Sequence, residues 1–262
     1  MTGRFLAPGV VLLLAISGLA PAQDVPSSER YILRAEYTRW SANLSGHVQK
    51  GFGSEGGTLL DLADDLGVGS RGTWQLKATA RLGSSFKLRG SYVPLDQYRG
   101  DVIAKTNFSY GTEFYFADSR VLTSIDGKYY TGEFEWDFQR GQSGFFGVFA
   151  GVKVFDVSSV VVAPQDAKRV VQASTLPIPV LGVAGRTYYG RRFSMEGEFS
   201  GMTIGNRGHV WELSLYARLN LSDRLAVGGG IHRVTLQGRD RSQRDSIDIK
   251  LGGWQYGVEL SL

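Results

Sequence analysis

The sequence predicts an all-β protein whose mature chain closes into an antiparallel β-barrel that spans a membrane. Three observations predict this fold. The chain begins with an apolar segment typical of export signals, and the rest alternates apolar and polar residues with a period of two. No later segment is apolar enough for a membrane-spanning helix, because the best run, residues 145–162, contains Lys153 and Asp156. Exported strands of this kind either stay in water or close into a barrel that satisfies their backbone hydrogen bonds in lipid.

The first predicted element is a cleaved signal peptide at residues 1–22, and a barrel domain at residues 23–262 follows it. Arg4 supplies a positive start, residues 5–19 are almost wholly apolar, and Ala20-Pro21-Ala22 matches a small-x-small cleavage site. The apolar part is shorter than the ~20 residues that a spanning helix needs.

Composition excludes several kinds of site. The chain has no cysteine, which removes disulfides, thiolate metal ligands and Cys nucleophiles, and it has only 3 histidines. We therefore expect no metal and no cofactor. The formal net charge is +4 and its basic residues are spread along the chain, so no nucleic-acid partner is predicted.

The clearest predicted strand is residues 74–82. Its apolar residues, from Trp74 to Leu82, alternate without a fault with polar ones, so one face is apolar and the other polar. The length matches the roughly 9–11 residues of a tilted transmembrane strand. The same alternation predicts ten strands, at about 30–40, 73–82, 86–95, a strand ending in 130–138, 144–155, 176–188, 193–202, 209–221, 225–236 and 247–262.

The strand number has open alternatives. Residues 101–110 and 113–121, around Gly111-Thr112, form a predicted hairpin above the membrane, but inserted into the barrel they would give twelve strands. The predicted strand at 176–188 begins with two prolines, where a ladder hydrogen bond can be absent. Without that strand the pairing must be redrawn, and a count of eight stays open.

The predicted connections alternate between short turns and longer loops. The long loops are 41–72, 96–119 and 156–175, whereas 83–85, 139–143, 189–192 and 222–224 are short turns. This asymmetry is typical of barrels that cross a membrane, and an even strand number puts both termini on the short-turn side.

The last predicted strand completes a resemblance that the signal peptide and the alternating strands begin. Trp254, Tyr256, Val258, Leu260 and Leu262 alternate with polar or small residues to the end of the sequence. The chain resembles the broad class of bacterial outer-membrane β-barrel proteins, although its final residue is not the usual aromatic one. The resemblance implies a place in the bacterial outer membrane, both termini in the periplasm, contact with outer-membrane lipid and lipopolysaccharide, and help from the barrel-assembly machinery.

A soluble lipocalin-like barrel, apolar inside and polar outside, is the alternative fold. Aromatic residues near the ends of predicted strands, such as Tyr31, Trp74 and Trp136, favour the membrane barrel. Trp and Tyr concentrate where a barrel meets the membrane interface.

The polar faces of the predicted strands supply the candidate site, a charged lumen. The basic candidates are Arg34, Lys77, Arg81, Lys87, Arg89, Lys153, Arg186 and Arg218, and the acidic ones are Glu36, Glu133, Glu135, Asp137, Glu196, Glu198, Glu212 and Glu259. Equal numbers of both signs favour a closed interior held by ion pairs, since unpaired buried charges are costly. A second interpretation starts from the distribution, because strands one to three are mostly basic and strands four and seven are acidic. Such a field across an open lumen would suit a narrow channel.

The remaining motifs give no convincing catalytic site. Residues 67–72 match the GxGxxG pattern, but a strand follows them where a nucleotide site needs a helix. Asp61, Asp64 and Asp65 lack the alternating ligand spacing of a calcium loop, so residues 59–66 are predicted to be a short amphipathic segment that caps the pore, or a solvated loop.

The three histidines do not stand in the arrangements that enzymatic barrels use. The omptin proteases, also ten-stranded, use acidic pairs and an Asp-x-His arrangement at the outer rim, whereas here Arg207 stands two residues before His209. His47 has no acid nearby in the sequence, and His232 lies mid-strand. We therefore expect no enzyme.

The predicted function is an integral outer-membrane barrel of structural or surface-interaction type, which presents its first three loops outward. A narrow passive channel for small polar solutes or ions is the alternative. An outer-membrane protease or lipid hydrolase is the third candidate.

Overall fold

The computed structural model describes residues 31–52, 56–96, 98–141, 143–203, 208–240 and 244–262. The predicted signal peptide, residues 1–22, lies outside the described residues. Within the described part of the chain, no helix is long and apolar enough to cross a membrane. A 3-10 turn at Pro164–Asp166 interrupts a succession of strands.

Fourteen strands follow one another along the described part of the chain. They are β1 (Leu33–Gln49), β2 (Leu59–Asp61), β3 (Arg71–Leu82), β4 (Phe86–Pro94), β5 (Tyr98–Ile103), β6 (Phe108–Tyr110), β7 (Glu113–Tyr115), β8 (Arg120–Gly141), β9 (Gly144–Ala163), β10 (Lys168–Tyr189), β11 (Phe193–Thr203), β12 (Gly208–Asn220), β13 (Leu225–Arg239) and β14 (Ser246–Ser261). Ten of them, β1, β3, β4 and β8 to β14, pair in sequence, and β14 pairs with β1 to close the ring. The predicted closed antiparallel barrel of ten strands is confirmed.

The other four strands lie on the loop side of the ring. β2 adds to the end of β1, β5 pairs with the end of β8, and β6 and β7 form a separate hairpin. The hairpin around Gly111-Thr112 therefore forms, but its two strands are not part of the barrel wall. The alternative of twelve barrel strands is wrong. The strand that contains Pro177 and Pro179 is present as β10, so the count of eight is wrong too.

The strands run further on the loop side than the sequence predicted. The expected loop at 156–175 is wrong, because β9 and β10 stay paired through it up to Ala163 and Lys168. The hairpin closes through the 3-10 turn, and Ala167 adopts a left-handed conformation with φ of 53°. The expected loop at 41–72 likewise contains the end of β1 and the whole of β2.

Both faces of the barrel change polarity part-way along strands such as β1 and β8, and this change explains the misplaced strand ends. The inward series of β1 is Arg34, Glu36, Thr38, Trp40 and Ala42, and its outward series is Leu33, Ala35, Tyr37, Arg39, Ser41 and Asn43. The outward side of β8 changes from Phe134 and Tyr130 to Lys128 and Asp126 in the same way. We call the segments before this change the turn-side half and those beyond it the loop-side half.

The loop-side half has an apolar core inside the ring of strands. Trp40, Tyr129, Val180, Val210, Val234 and Leu251 contribute to it from the barrel strands, and Leu60, Leu62, Leu66, Val68, Phe108, Tyr110 and Tyr115 contribute from the connections. The segment 62–68 lies directly on β5, where a Cβ at Gly100 would sit 1.8 Å from the Leu66 carbonyl oxygen. The first connection is thus packed into the barrel end, which agrees with the predicted capping segment at residues 59–66 and not with a loop that only projects outward.

Candidate functional site

The sixteen predicted lumen residues all have buried or half-buried side chains in the turn-side half. Arg34, Lys87, Arg89, Glu135, Asp137, Lys153, Arg186, Arg218 and Glu259 are among the buried ones. They occupy inward positions of β1, β3, β4, β8 to β12 and β14, as the period of two dictates. Every one of them takes part in at least one ion pair.

Arg218 is the centre of the cluster nearest the short turns. Its guanidinium nitrogens lie 2.5 Å from Glu36, 2.6 Å from Glu196 and 2.8 Å from Glu259. Arg186 donates to both oxygens of Glu259 at 3.0 and 2.9 Å, and Arg34 approaches the same carboxylate at 3.4 Å. Charge-assisted contacts of this kind are among the strongest hydrogen bonds in proteins.

A second cluster joins strands on opposite sides of the lumen. Arg89 on β4 lies 2.7 Å from Glu198 on β11, and Lys77 on β3 lies 2.5 Å from the same carboxylate. Lys87 pairs with Glu135 at 2.7 Å and Asp137 at 2.9 Å on the neighbouring β8. The basic and acidic strands of the sequence therefore neutralise each other by direct contact, and the segregation leaves no open field across the lumen.

A third group separates the charges from the apolar core. Glu212 pairs with Lys153, accepts a hydrogen bond from the Tyr129 hydroxyl, and lies 2.8 Å from Nε2 of His232. Trp40 stacks on the His232 ring with centroids 4.5 Å apart. The predicted site did not include Trp40, Tyr129 or His232. Their inward parity on strands with charged neighbours was the signal that could have found them.

Little space remains among the ion pairs of the turn-side half. The cavity among the ion pairs has a volume of about 40 Å³, enough for only a few water molecules, and is lined by residues that include Thr38, Gln75 and Ser214. The apolar core of the loop-side half lies above this cavity. The lumen is thus closed by two layers of opposite polarity.

Two tyrosines of the apolar core are buried outside the membrane-spanning segments. Burial raises the pKa of Tyr98 to about 12, and its hydroxyl donates to the Ala42 carbonyl at 3.3 Å. Burial, reinforced by Glu113 and Tyr110, raises the pKa of Tyr115 to about 12 as well. The Tyr115 hydroxyl donates to the Val161 carbonyl at 3.3 Å.

The loop-side rim carries polar pairs without a recognisable catalytic arrangement. His47 Nε2 lies 3.4 Å from Asp61, and Arg120 donates to Asp101 through two nitrogens at 2.9 and 2.6 Å, which holds the pKa of the Asp101 carboxyl below its usual value. Among the residues described, no three His, Asp or Glu side chains are grouped to hold a metal. Of the GxGxxG segment, Val68 is buried in the apolar core.

A basic patch lies on the outside of the barrel just beyond the apolar belt. Arg39, Arg233 and Lys250 are the first outward polar residues of β1, β13 and β14, and Trp254, which is 69% exposed, lies between the levels of Arg39 and Lys250 in the β1–β14 register. The Arg233 side chain runs across Gly252, with Cγ and Nε 3.5 Å from where a Cβ would stand. Each of the three cations lacks an ion pair within the part of the chain that is described.

Several solved structures are similar to this chain. The outer-membrane protease OmpT from Escherichia coli gives a TM-score of 0.55 at 10% identity, over 88% of this chain and 96% of that chain. Ail, the attachment invasion locus protein of Yersinia pestis solved with the heparin analogue sucrose octasulfate, gives 0.35 at 11% identity, over 88% and 99%. The toluene transporter TodX of P. putida gives 0.36 at 7% identity, over 91% and 92%. No protein-family model and no curated protein matches the chain.

The likeness to OmpT, at this low identity, shows a common fold and carries no activity across. The chain has the fold of the bacterial outer-membrane β-barrels, as the sequence resemblance implied. This fold indicates a place in the bacterial outer membrane.

Proposed function

We propose that the chain is an integral outer-membrane barrel of structural or surface-interaction type whose lumen is closed to solutes. The single observation that carries the proposal is the double closure of the lumen. A connected ion-pair network fills the turn-side half, and an apolar core built partly from the connections fills the loop-side half. A passive channel needs a continuous wet path, and the remaining cavity of about 40 Å³ offers none.

Planar-bilayer recording of the purified barrel tests this closure. We expect no discrete conductance steps at any voltage. Replacement of residues 59–68 by a short Gly-Ser linker provides a matched variant, which removes the loop-one part of the apolar core and keeps the ion-pair network. This variant should stay silent too. Discrete steps from the wild-type barrel would establish the narrow channel instead.

The orientation that we propose places both termini in the periplasm and the loop-side half outside the cell. The support is the outward change from apolar to polar residues, which leaves the loop-side half suited to water. A cysteine placed in the turn at 164–167 should react with an impermeant maleimide on intact cells. A cysteine placed in the turn at 222–224 should react only after lysis. The reverse labelling pattern would invert the orientation.

The patch of Arg39, Arg233 and Lys250 supports the proposed contact with outer-membrane lipid and lipopolysaccharide. Three outward cations around an exposed tryptophan suit phosphate groups at the level of the membrane interface. Replacing all three by Gln should reduce the stabilisation that lipopolysaccharide gives over phosphatidylcholine in a thermal unfolding assay. Gln at Arg191, Arg192 and Arg224, near the opposite end, is the matched control. Equal stabilisation of both triple variants would remove the patch from the proposal.

The third candidate, an enzyme, has less support. The protease in the comparison shares the fold at 10% identity. None of the described histidine contacts joins both a serine and a carboxylate, since His232 meets Glu212 and Gln255 while His47 meets Asp61. We therefore propose that the barrel-assembly machinery inserts this chain into the membrane and that the chain interacts with partners at the cell surface.

A further inference from the structure

One stretch of β10 has a pairing partner on only one side. Among the described residues, 181–187 pair with both β9 and β11, whereas 168–180 pair with β9 alone. The reason is that β11 ends at Thr203, far short of the β9–β10 hairpin. No other described strand lies along this second edge. The hairpin therefore projects from the loop-side half with an open backbone edge.

One hydrogen bond fixes which backbone groups point to that edge. The Tyr188 N–H donates to the Ser143 carbonyl at 2.8 Å, on the side of β9. The register between β9 and β10 is continuous, so the even-numbered residues of β10 exchange hydrogen bonds with β9 along its whole length. The odd-numbered residues point their N–H and C=O groups the other way. Over the open stretch these are Arg169, Val171, Ala173 and Thr175.

Two prolines occupy odd-numbered positions of β10 nearer the barrel, so their backbone groups face the same way as those of the residues above. Pro177 and Pro179 lack an N–H, and the missing donors are the ones that would have faced the open edge. Proline on an edge strand is a common means of preventing unwanted strand pairing. The edge is thus blocked at 177–179 and remains able to pair over residues 169–175.

The side chains along the open stretch are available to a partner. Val171 is 54% exposed and Leu176 is 42% exposed, one on each side of the sheet. Arg169 is exposed and forms no ion pair with any described residue. An added strand would cover Val171 and Leu176 with alternating apolar side chains, and an acidic side chain would complement Arg169.

We propose that residues 169–175 of β10 bind an extended segment of another protein by β-strand addition. The proposal rests on the surface-interaction function proposed above and names the partner class. In strand addition the backbone hydrogen bonds provide affinity, and alternate side-chain contacts provide specificity. The segment that fits is about seven residues long, with β-branched or aromatic residues at alternate positions and an acidic residue opposite Arg169.

A second copy of the chain in the same membrane fits this edge poorly. Strands of such barrels tilt by about 35–45° from the barrel axis, so two upright copies would cross their β10 edges at about 70–90°. A hydrogen-bonded ladder needs aligned strands. A flexible segment can align itself with the edge, which is why it is the occupant we propose.

The test pans a phage-displayed library of random eight-residue segments over the full barrel in lipid nanodiscs. The affinity of each enriched clone is then measured for the wild-type barrel and for two variants that replace Val171. Val171→Pro removes a single donor from the open edge and leaves the β9 ladder intact, as the native prolines on this parity do. Val171→Thr keeps the donor and is the matched control. We expect binding to weaken at least tenfold in V171P and to stay within twofold in V171T.

Amide hydrogen exchange of the wild-type barrel provides the second measurement, and Ala173→Pro replaces V171P if that variant does not fold. A bound clone should slow exchange at residues 169, 171, 173 and 175 and leave the even-numbered amides unchanged. Clones that bind V171P equally well, the absence of any edge-dependent clone, or pairing of two barrels through β10 would each overturn the proposal. A barrel that is silent in bilayers but has no edge-dependent clone would overturn strand addition alone, and the closed lumen would stand.

Discussion

The two halves of the barrel fill the same ring of strands with opposite chemistry. In the turn-side half the outward side chains are mostly apolar, and the charged inward ones form one ion-pair network around Arg218 and Arg89 beside a small apolar group of Phe145, Phe149 and Ala184. In the loop-side half the outward side chains are polar and the inward ones form an apolar core around Trp40 and Leu62. Strands such as β1 and β8 run through both halves without a break. Which face is apolar therefore depends on the medium around each half, lipid or water, and not on the strand conformation.

The difference has a physical reason. A strand in the membrane that was apolar on both faces would give little to distinguish its lipid face from its lumen face, and a slip by one residue would exchange them. Buried charges make such a slip costly, because they would enter lipid unpaired. Beyond the membrane the outer face meets water, so the interior can be apolar as in a soluble protein.

The largest expected effect comes from removing the central cation of the turn-side half. Arg218→Met should lower the free energy of unfolding by about 3–5 kcal/mol, because Glu36, Glu196 and Glu259 lose a shared partner inside the barrel. Urea unfolding of the folded barrel in detergent micelles measures the change.

The control for that variant is an ion pair of the loop-side half that faces water. Arg120 and Asp101 form a close pair in which both side chains are 53% exposed. Arg120→Met should leave the unfolding midpoint unchanged, since exposed pairs contribute little. Equal midpoints for Arg218→Met and Arg120→Met would contradict the difference between the halves.

The next effect concerns the apolar core of the loop-side half. Leu62→Ala removes a side chain that is fully buried and should cost about 2–5 kcal/mol. Leu59 is 56% exposed in the same connection, so Leu59→Ala is a matched control with little expected change. Thermal unfolding followed by circular dichroism compares them. If the two variants unfold together, the connection is not part of the core.

Most of the turn-side half could be predicted from the sequence, since strict alternation such as Trp74 to Leu82 is a local property. The turn-side ends of β3 and β11, at Leu82 and Phe193, match the prediction, and those of β10 and β12 differ from it by one residue. The loop-side half could not be predicted in this way. Beyond Tyr37 on β1 the apolar residues move to the opposite parity, and a search for one apolar face reads that change as the end of the strand.

The candidate site shows the same division. The sixteen charged positions were accessible to a parity argument, but the partners were not, because contacts such as Lys77 with Glu198 join residues 121 positions apart in the chain. His232 was placed mid-strand, yet its contact with Glu212 and its stacking on Trp40 depend on three separate strands. Long-range pairing of this kind follows from barrel closure and has no local signal.

The smallest expected effect is an alkaline sensitivity confined to the loop-side half. Burial raises the pKa of Tyr115 to about 12, whereas the tyrosine of an unfolded chain has a pKa of about 10. Between these values the unfolded chain has lost a proton that the folded chain keeps, so the stabilisation that is complete below pH ~10 declines as the pH rises toward ~12.

Tyr115→Phe removes this contribution and should flatten the decline, while Tyr98 maintains the rest of it. Amide exchange at Val161, whose carbonyl accepts the Tyr115 hydroxyl, measures the local opening at several pH values. After correction for the intrinsic exchange rate, the two proteins should run in parallel below pH ~9 and diverge above pH ~10. Parallel behaviour over the whole range would mean that the Tyr115 hydroxyl is solvated, and the apolar core would then end below the β6–β7 hairpin.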